Sequence, residues 1–257
     1  MAGIKASSLS INTGKLKVYS LGEFATGKSV FCTTFPTPGY LFDFDGGALT
    51  YRDAGDWDFD TFPPTPQGWV AFEKVFRIVK DEVKQGKYKT VILDSSTMMS
   101  DVAMARAMQL DPKRTPEGGP VWNVHYQIVK NLMEPKLRDF IAMDCNLVMV
   151  GHWKLNIDNK TGEVISADPL LTGQLSERVP GYFDEIYCHF SKRKLGKEEY
   201  YIRLTNKGFY KARSRISGKA RLLPDELPNT YQAVMEAAEK AMEKMEKEKE
   251  KEVKNNA

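Results

Sequence analysis

Apolar and polar positions follow two alternating periods along the chain. "KLKVYSL" (Lys15 to Leu21) is apolar, β-branched and aromatic, which predicts a strand. "KSVFCTTF" after it predicts a short helix that Pro36 stops. "GYLFDFDGG" (Gly39 to Gly47) reads as a buried strand ending in acidic residues and a turn. Trp69, Phe72, Phe76, Val79 and Val83 recur at helical spacing, and Gly86 ends that helix. "KTVILDSST" (Lys89 to Thr97) predicts another strand, followed by a Met-rich helix from about Thr97 to Gln109. The Pro/Gly loop "LDPKRTPEGGPV" leads into a helical stretch from about Trp122 to Met143, bent near Pro135. "CNLVMVGHW" (Cys145 to Trp153) is a fourth strand. Residues 154–180 look irregular, with a hairpin around "NIDNKTGEVI". Next come the strand "DEIYCHF" (Asp184 to Phe190), a basic turn in "KRKLGKEE", and a closing hairpin made of "YYIRLTN" and "GFYKARSR".

Strands that alternate with helices predict a mostly parallel sheet with right-handed crossovers, and the late hairpins predict antiparallel strands at one edge. Residues 1–14 are small and polar and read as a flexible arm; residues 15–228 form the core. Residues 229–257 form a charged helical tail, whose Glu and Lys support an exposed helix through i,i+4 pairs. In such sheets ligands bind beyond the carboxyl ends of the strands, so candidate residues are sought there.

The first is a loop. Gly22, Glu23, Phe24, Ala25, Thr26, Gly27, Lys28 and Ser29 match G-x-x-x-x-G-K-[ST], between a strand and a helix. Glycines let the chain turn tightly and bring N–H groups to phosphate oxygens. Lys28 is expected to reach the β- and γ-phosphates, Ser29 to bind Mg²⁺, and the loop through Val30 to hold the nucleotide. Asp94 ends "TVILD", the Walker B arrangement, in which a carboxylate orients Mg²⁺ or its water; the bland alternative is a cap on the next helix. Asp45, at the end of "YLFDFD", is placed to activate the attacking water, or else belongs to the turn before Gly46. His152 ends "NLVMVGH" and can sense the γ-phosphate, or else sits hydrogen-bonded at a strand edge. Lys211, Arg213 and Arg215 alternate in "YKARSR". On one strand face they could serve as an arginine finger supplied in trans, with Arg213 at its centre, contact DNA phosphates, or simply face solvent.

Composition narrows the setting. The 257 residues, 42% hydrophobic, suffice for one sizeable core. A net charge of +3 neither demands nor excludes nucleic acid. The three cysteines lack metal-ligand spacing and suggest a reducing compartment. The N-terminal segment has no secretory h-region and no stretch has transmembrane length, so the expectation is a cytoplasmic protein without a membrane partner, in the host cytoplasm if phage-encoded.

Taken in order, "GEFATGKS", "YLFDFDGG", "TVILDSS" and "LVMVGHW" resemble the RecA-like ATPase core over about residues 15–225. The compact form looks most like the phage and prophage RecA-like ATPases of single-strand annealing and recombination, a group often labelled only as AAA-type ATP-binding proteins. The resemblance implies a RecA-like P-loop NTPase fold of the α/β class, with ATP and Mg²⁺ as cofactors. It implies a DNA-stimulated ATPase that binds single-stranded DNA without sequence specificity and promotes annealing or strand exchange. It makes Asp45 the base and His152 the sensor, where the family often has Glu and Gln. Tyr51 falls about where RecA-type proteins place an adenine-stacking aromatic. The loops at about 110–120 and 153–172 would face DNA, with Lys113, Arg114, Lys154 and Lys160 on phosphates and Trp153 or Trp122 stacking on bases. The partners implied are single-stranded DNA, further copies of the chain in a ring or filament, and a single-stranded-DNA-binding protein.

Two other classes are weighed against this. A nucleotide-regulated accessory or loader module would work through a protein partner with slow turnover indifferent to DNA. A small-molecule kinase would need an Arg-rich lid, whereas the Arg-bearing segment comes late in the chain. A guanine-reading Asn-Lys-x-Asp is absent from "TNKGF", where Phe209 takes the place of the Asp.

Overall fold

The computed structural model describes residues 15–216 and 222–255. The expected arm of residues 1–14 lies outside the described residues. Among the described residues ten strands are formed: β1 (Lys17–Gly22), β2 (Gly39–Asp43), β3 (Trp57–Thr61), β4 (Thr90–Asp94), β5 (Asn146–Gly151), β6 (Trp153–Ile157), β7 (Val164–Pro169), β8 (Glu185–Lys194), β9 (Lys197–Arg203) and β10 (Glu226–Pro228). The helices are α1 (Lys28–Thr33), α2 (Pro66–Lys84), α3 (Ser96–Leu110), α4 (Trp122–Ala142), α5 (Leu175–Arg178) and α6 (Tyr231–Asn255).

Eight strands form one sheet in the order β10-β9-β8-β1-β5-β4-β2-β3. From β8 to β3 every pairing is parallel; β9 and β10 are antiparallel at the edge. β5 lies between β1 and β4, so the loop strand and the Asp94 strand are separated by one strand. Strand alternation sorts the side chains into two apolar layers. Tyr19, Leu21, Tyr40, Phe42, Val91 and Leu93 face one core with α2, α3 and α4. Val18, Leu41, Ile92, Val148 and Val150 face the other, with α1 and the first turns of α6.

The helix expectations follow from local chemistry. Thr65 caps α2 by accepting from Gly68 N at 3.0 Å, and Trp69, Phe72, Phe76, Val79 and Val83 are all buried. Gly86 adopts a φ of 78° just past the helix end, where a side chain would be strained. Pro135 lies inside α4, which continues through it.

Two expectations are corrected. "WDFDT", not expected as a strand, is β3: it is an edge strand, mostly exposed, and its acidic residues mask the apolar signal. The closing hairpin is not formed as expected. "YYIRLTN" contributes to β9, which pairs with β8 and β10. "GFYKARSR" contributes only isolated bridges, Ile186 with Arg213 and Lys207 with Tyr210. The turn joining β8 to β9 is Leu195-Gly196, both with positive φ, and it closes the register Lys194 to Lys197.

Candidate active site

β1 delivers the loop and α1 begins at its Lys. Gly27 holds a φ of 83°, in the left-handed region, and this turns the chain into the helix. Lys28 Nζ donates to Gly22 O at 3.1 Å and Glu23 O at 2.6 Å, so the ammonium is held across the mouth of the loop. Burial lowers its pKa, with Asp94 and Asp45 acting in the opposite sense. The loop is tied from outside as well. Tyr210 OH donates to Glu23 Oε1 at 2.9 Å, and Asn229 Nδ2 donates to Gly27 O at 2.8 Å.

Beneath it runs a buried polar chain. His189 Nδ1 donates to Asn229 Oδ1 at 2.9 Å, and its Nε2 accepts from Ser20 Oγ at 2.7 Å. Those partners fix one neutral tautomer. Burial pulls the His189 pKa down to about 3.

Asp94 ends β4 as expected and is buried. Ser29 Oγ donates to Asp94 Oδ2 at 2.8 Å. Burial pushes the Asp94 pKa up to about 7. A hydroxyl and a carboxylate side by side are the hard oxygen donors Mg²⁺ takes when phosphates and waters complete its shell. Among the described residues no group of three or more His, Cys, Asp and Glu could hold a metal by itself. The site therefore fits a cation shared with a phosphate.

Asp43, which ends β2, and Asp45, two residues on, separate cleanly. Asp43 is buried; its Oδ1 accepts from the backbone N–H of Asp45, Gly46 and Gly47, and its Oδ2 from Ala48 N and Thr61. It builds the turn. Asp45 lies in that turn with its side chain exposed, and it accepts from Ser95 Oγ at 2.8 Å. The same Ser95 oxygen caps α3 by accepting from Met98 N at 3.2 Å. Asp45 is thus aimed by the first residue after the Asp94 strand.

His152 follows β5, half-buried, its backbone N–H held by Thr97 Oγ1 at 3.2 Å. Burial and then the Lys28 charge lower its pKa, with Asp45 acting in the opposite sense. One cleft of about 390 Å³ is lined by Phe24 to Val30, Asp45, Thr50, Asp94, His152 and Tyr200. The structure brings Lys28 and Ser29 of α1 together with Asp45, Asp94 and His152 from the ends of β2, β4 and β5.

Other candidates stand elsewhere. Tyr51, expected to stack on adenine, is corrected: it is 4% exposed, sits in the α1-side core and packs edge-on against Trp57 at 5.1 Å. No face of its ring is open to a base. Arg213 is outside the cleft. Its guanidinium donates to the carbonyls of Pro180 (3.0 Å) and Phe183, which pins the segment to the helical turns before β8. Lys211 lies 3.8 Å from Asp168 and Arg215 pairs with Asp184 at 2.6 Å, so all three cations of that row engage their own chain. Arg114 closes the end of α3 through the carbonyls of Met108, Asp111 and Lys113. Lys113, Lys154 and Lys160 are exposed. Trp153 is half-buried against Tyr210 at 5.7 Å, and Trp122 is 65% exposed over Tyr126 at 4.3 Å. Three residues at the loop were missed by sequence reasoning: His189, Tyr200 and Asn229. They come from β8, β9 and the turn between β10 and α6, and no motif spacing marks them.

A family model described as an AAA domain matches residues 14–216. No curated protein matches the chain. Among solved structures, a KaiC-like protein from the hyperthermophilic archaeon Pyrococcus horikoshii OT3 is similar to it at 11% identity, with a TM-score of 0.40, over 77% of this chain and 81% of that one.

Proposed function

The chain belongs to the AAA domain family of P-loop ATPases, and we propose that it is an Mg²⁺-dependent ATPase of DNA recombination that binds single-stranded DNA without sequence specificity and promotes annealing or exchange of strands. The observation that carries this reading is the join between cleft and hairpin. His152 lines the cleft, the next residue begins β6, and Leu170 N returns from β7 to His152 O at 2.8 Å. A change at the γ-phosphate position is therefore felt at the root of a hairpin that presents Lys154 and Lys160 to solvent.

In this reading Lys28 holds the β- and γ-phosphates, and Ser29 and Asp94 hold Mg²⁺, which supplies charge neutralisation on the transferring phosphoryl group. Asp45 takes the proton of the attacking water, oriented by Ser95. His152 reads the γ-phosphate and biases the β6–β7 hairpin. Lys154 and Lys160 contact DNA phosphates, with Lys113 and Arg114 flanking, and such contacts position the strand without reading its sequence. Further copies of the chain close the open side of the cleft, where Phe24 is 89% exposed. A single-stranded-DNA-binding protein is the accessory partner.

The test is ATP hydrolysis with and without single-stranded DNA across a salt series, with Lys28→Ala as the blank. Stimulation by DNA that fades with salt supports the reading. Turnover indifferent to DNA selects a nucleotide-regulated module acting through a protein partner.

A further inference from the structure

Tyr200 is half-buried in β9 and lines the cleft beside the phosphate loop. Its ring lies directly over Gly27: a Cβ built there would fall 2.6 Å from Tyr200 Cγ and 2.9 Å from Cδ1. The loop therefore needs glycine at this point for a second reason besides its φ. Among the described residues the Tyr200 ring has no aromatic or cationic partner, and its hydroxyl makes no hydrogen bond. Its neighbour Tyr201 differs on both counts: it stacks on Phe190 at 5.8 Å and its hydroxyl bonds Glu199 and Lys194. A half-buried tyrosine ring without such partners, lining the cleft beside a phosphate cradle, is a platform for a flat heterocycle. Across the same cleft, Val30 on the first turn of α1 is 43% exposed and offers a second apolar surface.

Resting on the ATPase reading above, we propose that Tyr200 stacks on the base of the bound nucleoside triphosphate, in the role that the buried Tyr51 cannot take. The ring stays in place because its own backbone is clamped. Tyr200 O accepts from Asn229 N at 3.2 Å, and the Asn229 side chain holds Gly27 O. The platform and the loop thus share one anchor, which fixes the distance between base and phosphates.

The experiment measures binding of Mg²⁺-ATP and of Mg²⁺-tripolyphosphate, which lacks a base, to the wild-type chain, Tyr200→Ala, Tyr200→Phe and Lys28→Ala by calorimetry. Tyr200→Ala is expected to weaken ATP about tenfold or more and to change tripolyphosphate less than about twofold, the range of base–aromatic stacking. Tyr200→Phe restores ATP affinity. Lys28→Ala weakens both ligands. Unchanged ATP affinity in Tyr200→Ala overturns the inference while leaving the phosphate site intact. Equal loss of ATP and tripolyphosphate also overturns it, because the ring would then only shape the loop. A wild-type chain that binds neither ligand overturns the site reading and the inference together.

Discussion

Ser29 and Asp94, 65 residues apart, meet through a 2.8 Å hydrogen bond from the hydroxyl to Oδ2. The first residue lies in the first turn of α1 and the second closes β4, and the parallel order β1-β5-β4 brings them together. Removing the carboxylate charge by Asp94→Asn is expected to weaken Mg²⁺-ATP about tenfold or more, the cost of one charge-assisted contact. Lys28→Ala is expected to abolish hydrolysis. Calorimetry and a phosphate-release assay check both; a Lys28→Ala chain that turns over normally removes the phosphate-loop assignment.

Asp45 and Asp43 are expected to fail differently. Asp45→Asn keeps ATP bound but slows hydrolysis about 100-fold or more, the usual contribution of a general base. Its melting temperature stays near wild type, since the side chain is exposed.

Asp43→Ala instead strips the acceptor from four backbone N–H groups of the turn. Urea unfolding should show a loss of about 2–3 kcal/mol, reduced from the full sum because water can reach part of the turn. A neutral effect on stability would mean the turn holds itself.

His189 gives a signed pH dependence. Its folded pKa lies below the ordinary value of 6.5, at about 3. The unfolded chain therefore binds a proton that the folded chain refuses. This contribution is complete above about pH 6.5 and is lost as pH falls toward 3. Between pH 6.5 and 5 the loss is about 2 kcal/mol. Urea titrations of wild type and His189→Gln should differ in slope over that window; parallel slopes would show that the ring is accessible to protons in the fold.

If Lys154 and Lys160 contact phosphates, each alanine variant lowers the salt dependence of single-strand binding by about 0.7 in log–log slope. Binding titrations at several salt concentrations measure it, and unaltered slopes would move the DNA path off the β6–β7 hairpin.

Much of this site was legible because its chemistry sits at strand ends, where a motif of fixed spacing or a single acidic residue after an apolar run is visible in one dimension. Asp94, Asp45 and His152 were found that way. What escaped depends on pairing across long separations. Tyr51 and Tyr200 look alike as letters. Packing against α1 and Trp57 buries the first, and the β8–β9–β10 edge brings the second over Gly27. Arg213 alternates with Lys211 and Arg215 in the sequence, yet their segment never becomes a strand, so the shared face that alternation promised does not exist. The exposed β3 was hidden for the opposite reason: an edge strand has little apolar surface to declare.

The bond from Asn229 to Gly27 spans 202 residues. During synthesis the phosphate loop emerges early, with its glycine carbonyl unclaimed, and waits through most of translation for the residue that secures it. The nucleotide cleft is thus completed late in synthesis, just before α6. A fragment ending before residue 229 keeps every motif letter and lacks the clasp, so a gene truncated there encodes a readable but unlatched site.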